Sequence, residues 1–317
     1  MRFFRTIGKG IVIGCKFAAA AITYPMFLRR LRKQKRDNEV IITLFAHIGD
    51  VIYGMSYAEQ FKRETGTKIC VYCCETFVNM VKSYSCVDRI ITYRKGSVAE
   101  YTVTYFPDMR YAWARKENYD GIIATIPPKN YFKGRTALEV YRDHIYKVKS
   151  DKKSLYTPQT VEVKSIPDFE ANKDKIVVLN PYSFSHGYNR KLFEAIVSEL
   201  KSMGYIVYTN AVPKFGQKAI KGSLTLDSSV EELHSIVQQI PLFLSVRSGI
   251  IDLMCNSKCN LFALYVRQAW MRNYFSIREL TSYSEYEGNT EEAVWLNKKD
   301  TPRVINRIKD FLNKVNA

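Results

Sequence analysis

The stretch that most limits what this chain can become is Lys175 to Gly204, KIVVLNPYSFSHGYNRKLFEAIVSELKSMG. Lys175 to Leu179 is a short apolar, β-branched run that Asn180-Pro181 ends. After a loop carrying Ser183, Ser185, His186, Gly187 and Asn189, apolar residues recur at Leu192, Ile196, Val197 and Leu200. A brief apolar run bounded by turn formers reads as a buried strand, and the later spacing as an amphipathic helix. Open parallel sheets bind ligands beyond the carboxyl ends of their strands. Hydroxyls with Arg190 and Lys191 at a helix start therefore suit a phosphate-bearing ligand, although an ordinary capped connection would read the same way.

The same strand-to-helix plan recurs along the chain. Val40 to Phe45 (VIITLF) runs into Ala46-His47-Ile48-Gly49-Asp50 and a helix over Val51 to Arg63. Strand runs follow at Ile69 to Tyr72, Arg89 to Thr92 and Gly121 to Thr125, with helical stretches near Thr76 to Ser83, Met109 to Lys116 and Thr136 to Lys147. Beyond the central stretch come strands Tyr205 to Tyr208, Ser223 to Leu226, Leu242 to Val246 and Asn260 to Tyr265. Helices Ser229 to Gln239 and Gly249 to Asn256 alternate with them, then a Tyr-rich irregular region and a closing helix over Pro302 to Val315. Such alternation argues for an α/β protein of two doubly wound parallel sheets facing a cleft. The expected domains are 39–150 and 175–300, joined by a polar linker over 151–174 broken by Pro158 and Pro167. A basic segment, 1–38, precedes them and a closing helix, 301–317, follows.

Charge locates a second property. The 317 residues carry a formal +17, and ten cations (Arg2, Arg5, Lys9, Lys16, Arg29, Arg30, Arg32, Lys33, Lys35 and Arg36) precede the first acid, Asp37. On a helix, Arg2, Arg5, Lys9 and Lys16 fall in one sector opposite Phe4, Ile7, Ile11, Cys15, Ala18 and Ile22. The uncharged run Phe17 to Leu28 is too short to cross a bilayer. A helix lying on an anionic membrane surface through residues 1–36 fits, and a helix packed on the protein's own body is the alternative. Nucleic acid is not an expected partner, because the charge sits in an amphipathic tail and no recognised binding motif is present. Seven cysteines without a regular framework point to a reducing compartment and to buried thiols rather than zinc.

Three stretches could carry chemistry. In His47-Ile48-Gly49-Asp50, Gly49 permits a tight turn, and Asp50 near a helix start could take a proton from a hydroxyl nucleophile or simply cap the helix. His47 beside it is a strand-end residue with the same ambiguity. The central loop is the second. The third is Ser245-Val246-Arg247-Ser248-Gly249-Ile250-Ile251-Asp252. There Ser248 and Gly249 offer amides at a helix start, and Arg247 could grip a phosphate bidentately or pair with Asp252.

In order, these features resemble the two-domain GT-B glycosyltransferases, particularly the lipopolysaccharide heptosyltransferases of glycosyltransferase family 9, over most of residues 40 to 266. The Gly-Asp after the family's leading strand is matched by Gly49-Asp50-Val51-Ile52, which implies Asp50 as the catalytic base. Asn180-Pro181 and Arg190-Lys191-Leu192-Phe193 take the places of the strand-ending pair and of the Lys before an aromatic residue. Lys191 is the match if Phe193 stands for the aromatic, Arg190 if Leu192 does. The late Asp-Ser/Thr-Gly with a following His becomes Arg247-Ser248-Gly249 with Asp252, and the Pro of the first helix becomes Ser56.

The resemblance implies two Rossmann-like domains and an enzyme of inverting sugar transfer. Its donor would be a nucleotide-diphosphate sugar and its acceptor a glycan or lipid-linked sugar of capsule, O-antigen or lipopolysaccharide synthesis. Asn180, Ser183, Ser185, Arg190, Lys191, Arg247, Ser248, Gly249 and Asp252 would be on the donor side, with His47 and Gly49 on the acceptor side. No Asp-x-Asp pair lies near these loops, so no metal and no cofactor are expected, and the expected place is the cytoplasmic face of the cell membrane. A polysaccharide pyruvyltransferase-like enzyme and a non-catalytic membrane-tethered scaffold are the alternatives.

Overall fold

The computed structural model describes residues 15, 18, 22–23, 25–45, 47–97, 99–100, 102, 118–119, 121–125, 134–183, 188–254, 257–266, 277 and 288–317. Its contacts divide the chain into two units, Met1–Tyr156 and Thr157–Ala317, a boundary inside the stretch read as the linker.

In the first unit a helix α1 (25–34) precedes β1 (Glu39–Thr43), α2 (Ile48–Met55), α3 (Ala58–Thr65), β2 (Lys68–Cys74), β3 (Val87–Tyr93), β4 (Asn118–Tyr119) and β5 (Ile122–Ala124). The strands lie in the order β3-β2-β1-β5-β4, all parallel except β4 against β5. Chain order reverses between β1 and β5, so the residues following β1 stand at the sheet's switch point, where open α/β sheets hold ligands. The helix expected over Met109 to Lys116 lies outside the described residues.

Phe27, Leu28 and Leu31 of α1 are buried against Ile41, Tyr72 and Tyr93, each burial contributing about 1.5–3 kcal/mol. For these residues the alternative of packing on the protein's own body holds, and most of the amphipathic stretch before them lies outside the described residues. The far end of α1 is tied down as well. The buried Glu39 carboxylate receives Arg89 Nε at 3.0 Å, and Arg89 Nη2 also donates to the carbonyl of Gln34 at 2.8 Å. Burial pushes the Glu39 carboxyl up, but hydrogen bonds from Arg89 and from the Arg36 amide outweigh it and hold the group below its ordinary value. Cys70, Cys73 and Cys74 are buried on β2, and desolvation pushes the thiols of Cys70 and Cys73 up to about 12, as befits inert core residues.

Helix α2, which carries Asp50, lies close on the sheet because Gly54 lacks a side chain. A Cβ there would sit 2.6 Å from Leu44 Cδ2 and 3.2 Å from Thr125 Cβ. Gly54→Ala is therefore expected to destabilise the first unit by about 1–3 kcal/mol through overpacking, despite alanine's better helix propensity. Urea denaturation at unchanged m-value would measure it.

The second unit contains β6 (Ile176–Asn180), α4 (Arg190–Ser202), β7 (Ile206–Asn210), β8 (Leu224–Leu226), α5 (Val230–Val237), β9 (Leu242–Val246), α6 (Gly249–Met254), β10 (Leu261–Val266), β11 (Thr290–Trp295) and α7 (Thr301–Asn316). All six strands are parallel, in the order β11-β10-β9-β6-β7-β8. Built outward from β6 and then returning to β9, this is the mononucleotide-binding plan with its switch point between β6 and β9. Leu192, Phe193, Ile196 and Leu200 of α4 share one core with Val304, Ile308, Phe311 and Leu312 of α7, so the closing helix belongs to this unit.

Strand β11 falls in the region expected to be irregular. It is an edge strand with only Ala293 and Trp295 buried, so its sequence, TEEAVW, lacks the continuous apolar run that marked the others. A glutamate in each unit staples the chain in or beside the stretch read as linker. Glu64 accepts from the amides of Lys149 and Ser150, just before that stretch, and Glu232 from those of Lys164 and Ser165 within it, at 2.6–3.3 Å. No helix among the described residues is long and apolar enough to cross a membrane.

Candidate functional site

At the switch point of the second unit, three neighbouring strands carry at or next to their ends polar side chains that bond to one another. Asn210, ending β7, donates Nδ2 to Asn180 Oδ1 at 3.0 Å, and Asn180, ending β6, donates Nδ2 to Ser245 Oγ of β9 at 2.9 Å. Ser245 in turn donates to the carbonyl of Val246 at 2.8 Å. Asn180 is 4 % exposed and bonds through both ends of its amide, so it orders the strand ends. Asn210 was not among the sequence candidates. One signal was present: β6 and β7 both close on Asn, as VVLN and VYTN.

Just beyond β9 the chain turns into α6. Arg247 and Asp252 are both buried and form a two-pronged pair, Nη1 to Oδ2 at 3.1 Å and Nη2 to Oδ1 at 2.8 Å, while Nη1 also donates to the carbonyl of Ser248 at 2.7 Å. The ion pair, one of the two readings of Arg247, is formed in this structure. The hydroxyl of Ser183, in the loop after β6, donates to the carbonyl of Arg247 at 3.1 Å and ties the two loops across the switch point. Beside them the Ser248 Oγ is buried with no hydrogen-bond partner among the described residues. Ser248 and Gly249 lead into α6 next to that hydroxyl, and together they make the polar, undercommitted part of this corner.

The loop between β6 and α4 is described on both sides of Ser185, which itself lies outside the described residues with His186 and Gly187. Asn189 caps α4, its side chain accepting the Leu192 amide at 3.0 Å. Tyr188 before it stacks on Phe193 at 6.1 Å between ring centroids, a hydrophobic staple, and its ring lies tilted against Tyr182 at 5.2 Å. Arg190 is solvent-exposed and pairs with Glu194 at 2.7 Å, an i,i+4 contact of small energetic weight. Lys191 is exposed on the same first turn.

In the first unit, β1 delivers His47 and Asp50 to the sheet's carboxyl end. The capping position of α2 belongs to His47, whose side chain makes no capping bond, so Asp50 is not the helix cap. It sits in the first turn, half-buried, where a carboxylate is favoured by the amide dipoles of the helix start. The His47 ring packs edge-on against Phe45 at 4.5 Å. Burial pushes its pKa down, with Glu100 opposing and Lys95 adding to the shift, so the imidazole is neutral at pH 7. Gly49 is buried beneath this turn. Among the described residues no group of three or more His, Cys, Asp or Glu is placed to hold a metal ion.

No protein-family model matches the sequence, and no curated protein does. Solved structures are similar over most of the chain. A glycosyl transferase family 9 protein from Veillonella parvula is 12% identical with a TM-score of 0.54, over 87% of this chain and 97% of that one. The ADP-heptose lipopolysaccharide heptosyltransferase II of E. coli is 11% identical with a TM-score of 0.52, over 88% and 100%. A dodecameric iron-containing heptosyltransferase solved with ADP-D-beta-D-heptose is 13% identical with a TM-score of 0.50, over 88% and 77%. The chain therefore has the two-domain α/β fold of these glycosyltransferases.

Proposed function

We propose that the protein is a glycosyltransferase that moves a sugar from a nucleotide-diphosphate sugar to a glycan or lipid-linked acceptor in surface polysaccharide synthesis. The observation that carries the reading is the pair of switch points in a fold shared with such enzymes. One presents a half-buried carboxylate in a helix's first turn, the other a knitted polar corner beside α6. The donor's diphosphate would meet the amides at Ser248 and Gly249, the Ser248 hydroxyl, Ser183, Ser185 and the Lys191 ammonium. Asn180 and the Arg247–Asp252 pair hold those loops in register.

In the reaction Asp50 accepts the proton of the acceptor hydroxyl as its oxygen bonds to the anomeric carbon. The carbon–oxygen bond to the diphosphate breaks, and the nucleoside diphosphate leaves with the electron pair. Such a direct displacement inverts the anomeric carbon. Donors in hydrogen-bond reach of the departing diphosphate stabilise the charge it gains, which is where most of the acceleration of such a step arises. We place the enzyme at the cytoplasmic face of the cell membrane, held to anionic lipid through residues 1–36.

A thermal-shift series with UDP, GDP, ADP and CMP sugars tests the donor site. A cognate donor at about 100 times its Kd adds about 2.7 kcal/mol, which raises Tm by roughly 5–10 °C for a unit of this size. A shift with phosphoenolpyruvate and with no sugar nucleotide would favour pyruvyl transfer instead, and no shift with any of them would favour a scaffold.

A further inference from the structure

The outer face of α1 is built as a docking surface for an anionic phospholipid bilayer, we infer, with the helix bolted to the first unit by its inner face. This rests on the membrane attachment proposed above and is independent of sugar transfer. At about 100° per residue, Phe27, Leu28 and Leu31 fall on one side of the helix and are buried in the core. Ile22, Met26, Arg29, Arg30 and Lys33 fall on the opposite arc. Ile22 is 75% and Met26 64% exposed, the two most uncovered large apolar side chains but for Phe215 among those described. Ala18 and Cys15, on the same arc one and two turns before Ile22, are exposed as well.

The apolar stripe thus continues directly into cations. Arg29, Arg30 and Lys33 line an open depression of about 520 Å³ with Met26 and Gln34. An exposed apolar stripe flanked by cations and free of acids matches the two layers of an anionic membrane surface, acyl chains beneath and phosphates above. Charge selects the lipid over a second copy of this chain as the occupant: an isologous contact along this face would set Arg29, Arg30 and Lys33 against their own copies, with no acid before Asp37 to balance them. The inner anchor matters too. Through Phe27, Leu31 and the Arg89–Gln34 bond the bound helix fixes the orientation of the first unit's sheet, rather than tethering it by a flexible tail.

The test is co-sedimentation of the full chain with phosphatidylcholine vesicles with and without phosphatidylglycerol. Binding is expected only with phosphatidylglycerol and should weaken as salt rises. The variant Arg29→Glu/Arg30→Glu/Lys33→Glu should partition on the order of 100-fold more weakly, and Ile22→Glu/Met26→Glu about 10-fold or more. Lys221→Glu/Lys258→Glu/Lys298→Glu, a change of equal charge at exposed sites elsewhere, should leave binding within about threefold. All three variants should keep the wild-type Tm, because every altered residue is exposed.

Outer-face variants that bind like the wild type, or a control that loses as much as they do, would overturn the assignment while leaving membrane attachment intact. Failure of the wild type to bind would remove the attachment itself. A wild-type dimer that Ile22→Glu/Met26→Glu dissolves, with vesicle binding unchanged, would give the face to a second copy. The donor thermal shift is read without vesicles, so its outcome is separate from all of these.

Discussion

Asp50→Asn is expected to lower turnover by about 10³-fold, within the 10²–10⁴ that a positioned general base contributes, while the donor's Kd changes by less than about threefold. The substitution keeps the shape of the side chain and its place in the first turn of α2, and removes its charge and with it the capacity to take a proton. About 4 kcal/mol is thereby added to the barrier, with binding of the substrates left in place. Asp50 is half-buried in the first turn of α2 and is not the helix cap, so Tm is measured beside turnover to keep any loss of stability apart from the loss of the base. The measurement is kcat from single turnover beside donor affinity from calorimetry. If Asp50→Asn keeps its turnover and His47→Gln loses it, the base is the neighbouring imidazole, whose neutrality at pH 7 suits it to the same task.

The sheet strands were legible because most are buried on both faces. Ile176–Asn180 and Leu242–Val246 are runs of five buried residues, and the second has the bounds its apolar run gives it. Such a run needs no partner to be recognised. Strand β11 does, since at the sheet edge only Ala293 and Trp295 turn inward and the acids Glu291 and Glu292 hide the pattern. Residues 27 to 31 join the uncharged run to the basic one whose charge pointed to a membrane, and Phe27, Leu28 and Leu31 face the core while the cations between them face out.

At the site, the two loops could be found from sequence because Pro and Gly punctuate the strand ends there. Asn210 could not, because its role depends on β7 lying beside β6 and β6 beside β9, an order that no local pattern encodes. The alternatives for Arg247 were both visible, since Asp252 lies a few residues onward, and the structure shows the pairing with Asp252.

Breaking that pair supplies the second large effect. Arg247→Met leaves the buried Asp252 carboxylate without its guanidinium, which costs about 3–5 kcal/mol and, in a unit of this size, roughly 10 °C of Tm. The double variant Arg247→Met/Asp252→Leu removes both charges and should regain most of the loss, because a buried ion pair replaced by apolar groups of similar volume is nearly neutral. Donor affinity in the double variant then separates two roles that stability alone cannot. Since both terminal nitrogens of Arg247 already meet Asp252, affinity should stay within about threefold once folding is restored, the loops being tied independently by Ser183 to the Arg247 backbone. A stable double variant that binds donor 10- to 100-fold more weakly would show a guanidinium contacting the diphosphate directly, since a charge-assisted hydrogen bond is worth about 1.5–3 kcal/mol. In that case donor binding would have to draw the fork away from Asp252, and the Asp252→Leu change alone, by leaving the guanidinium without its acid, should tighten the donor's hold.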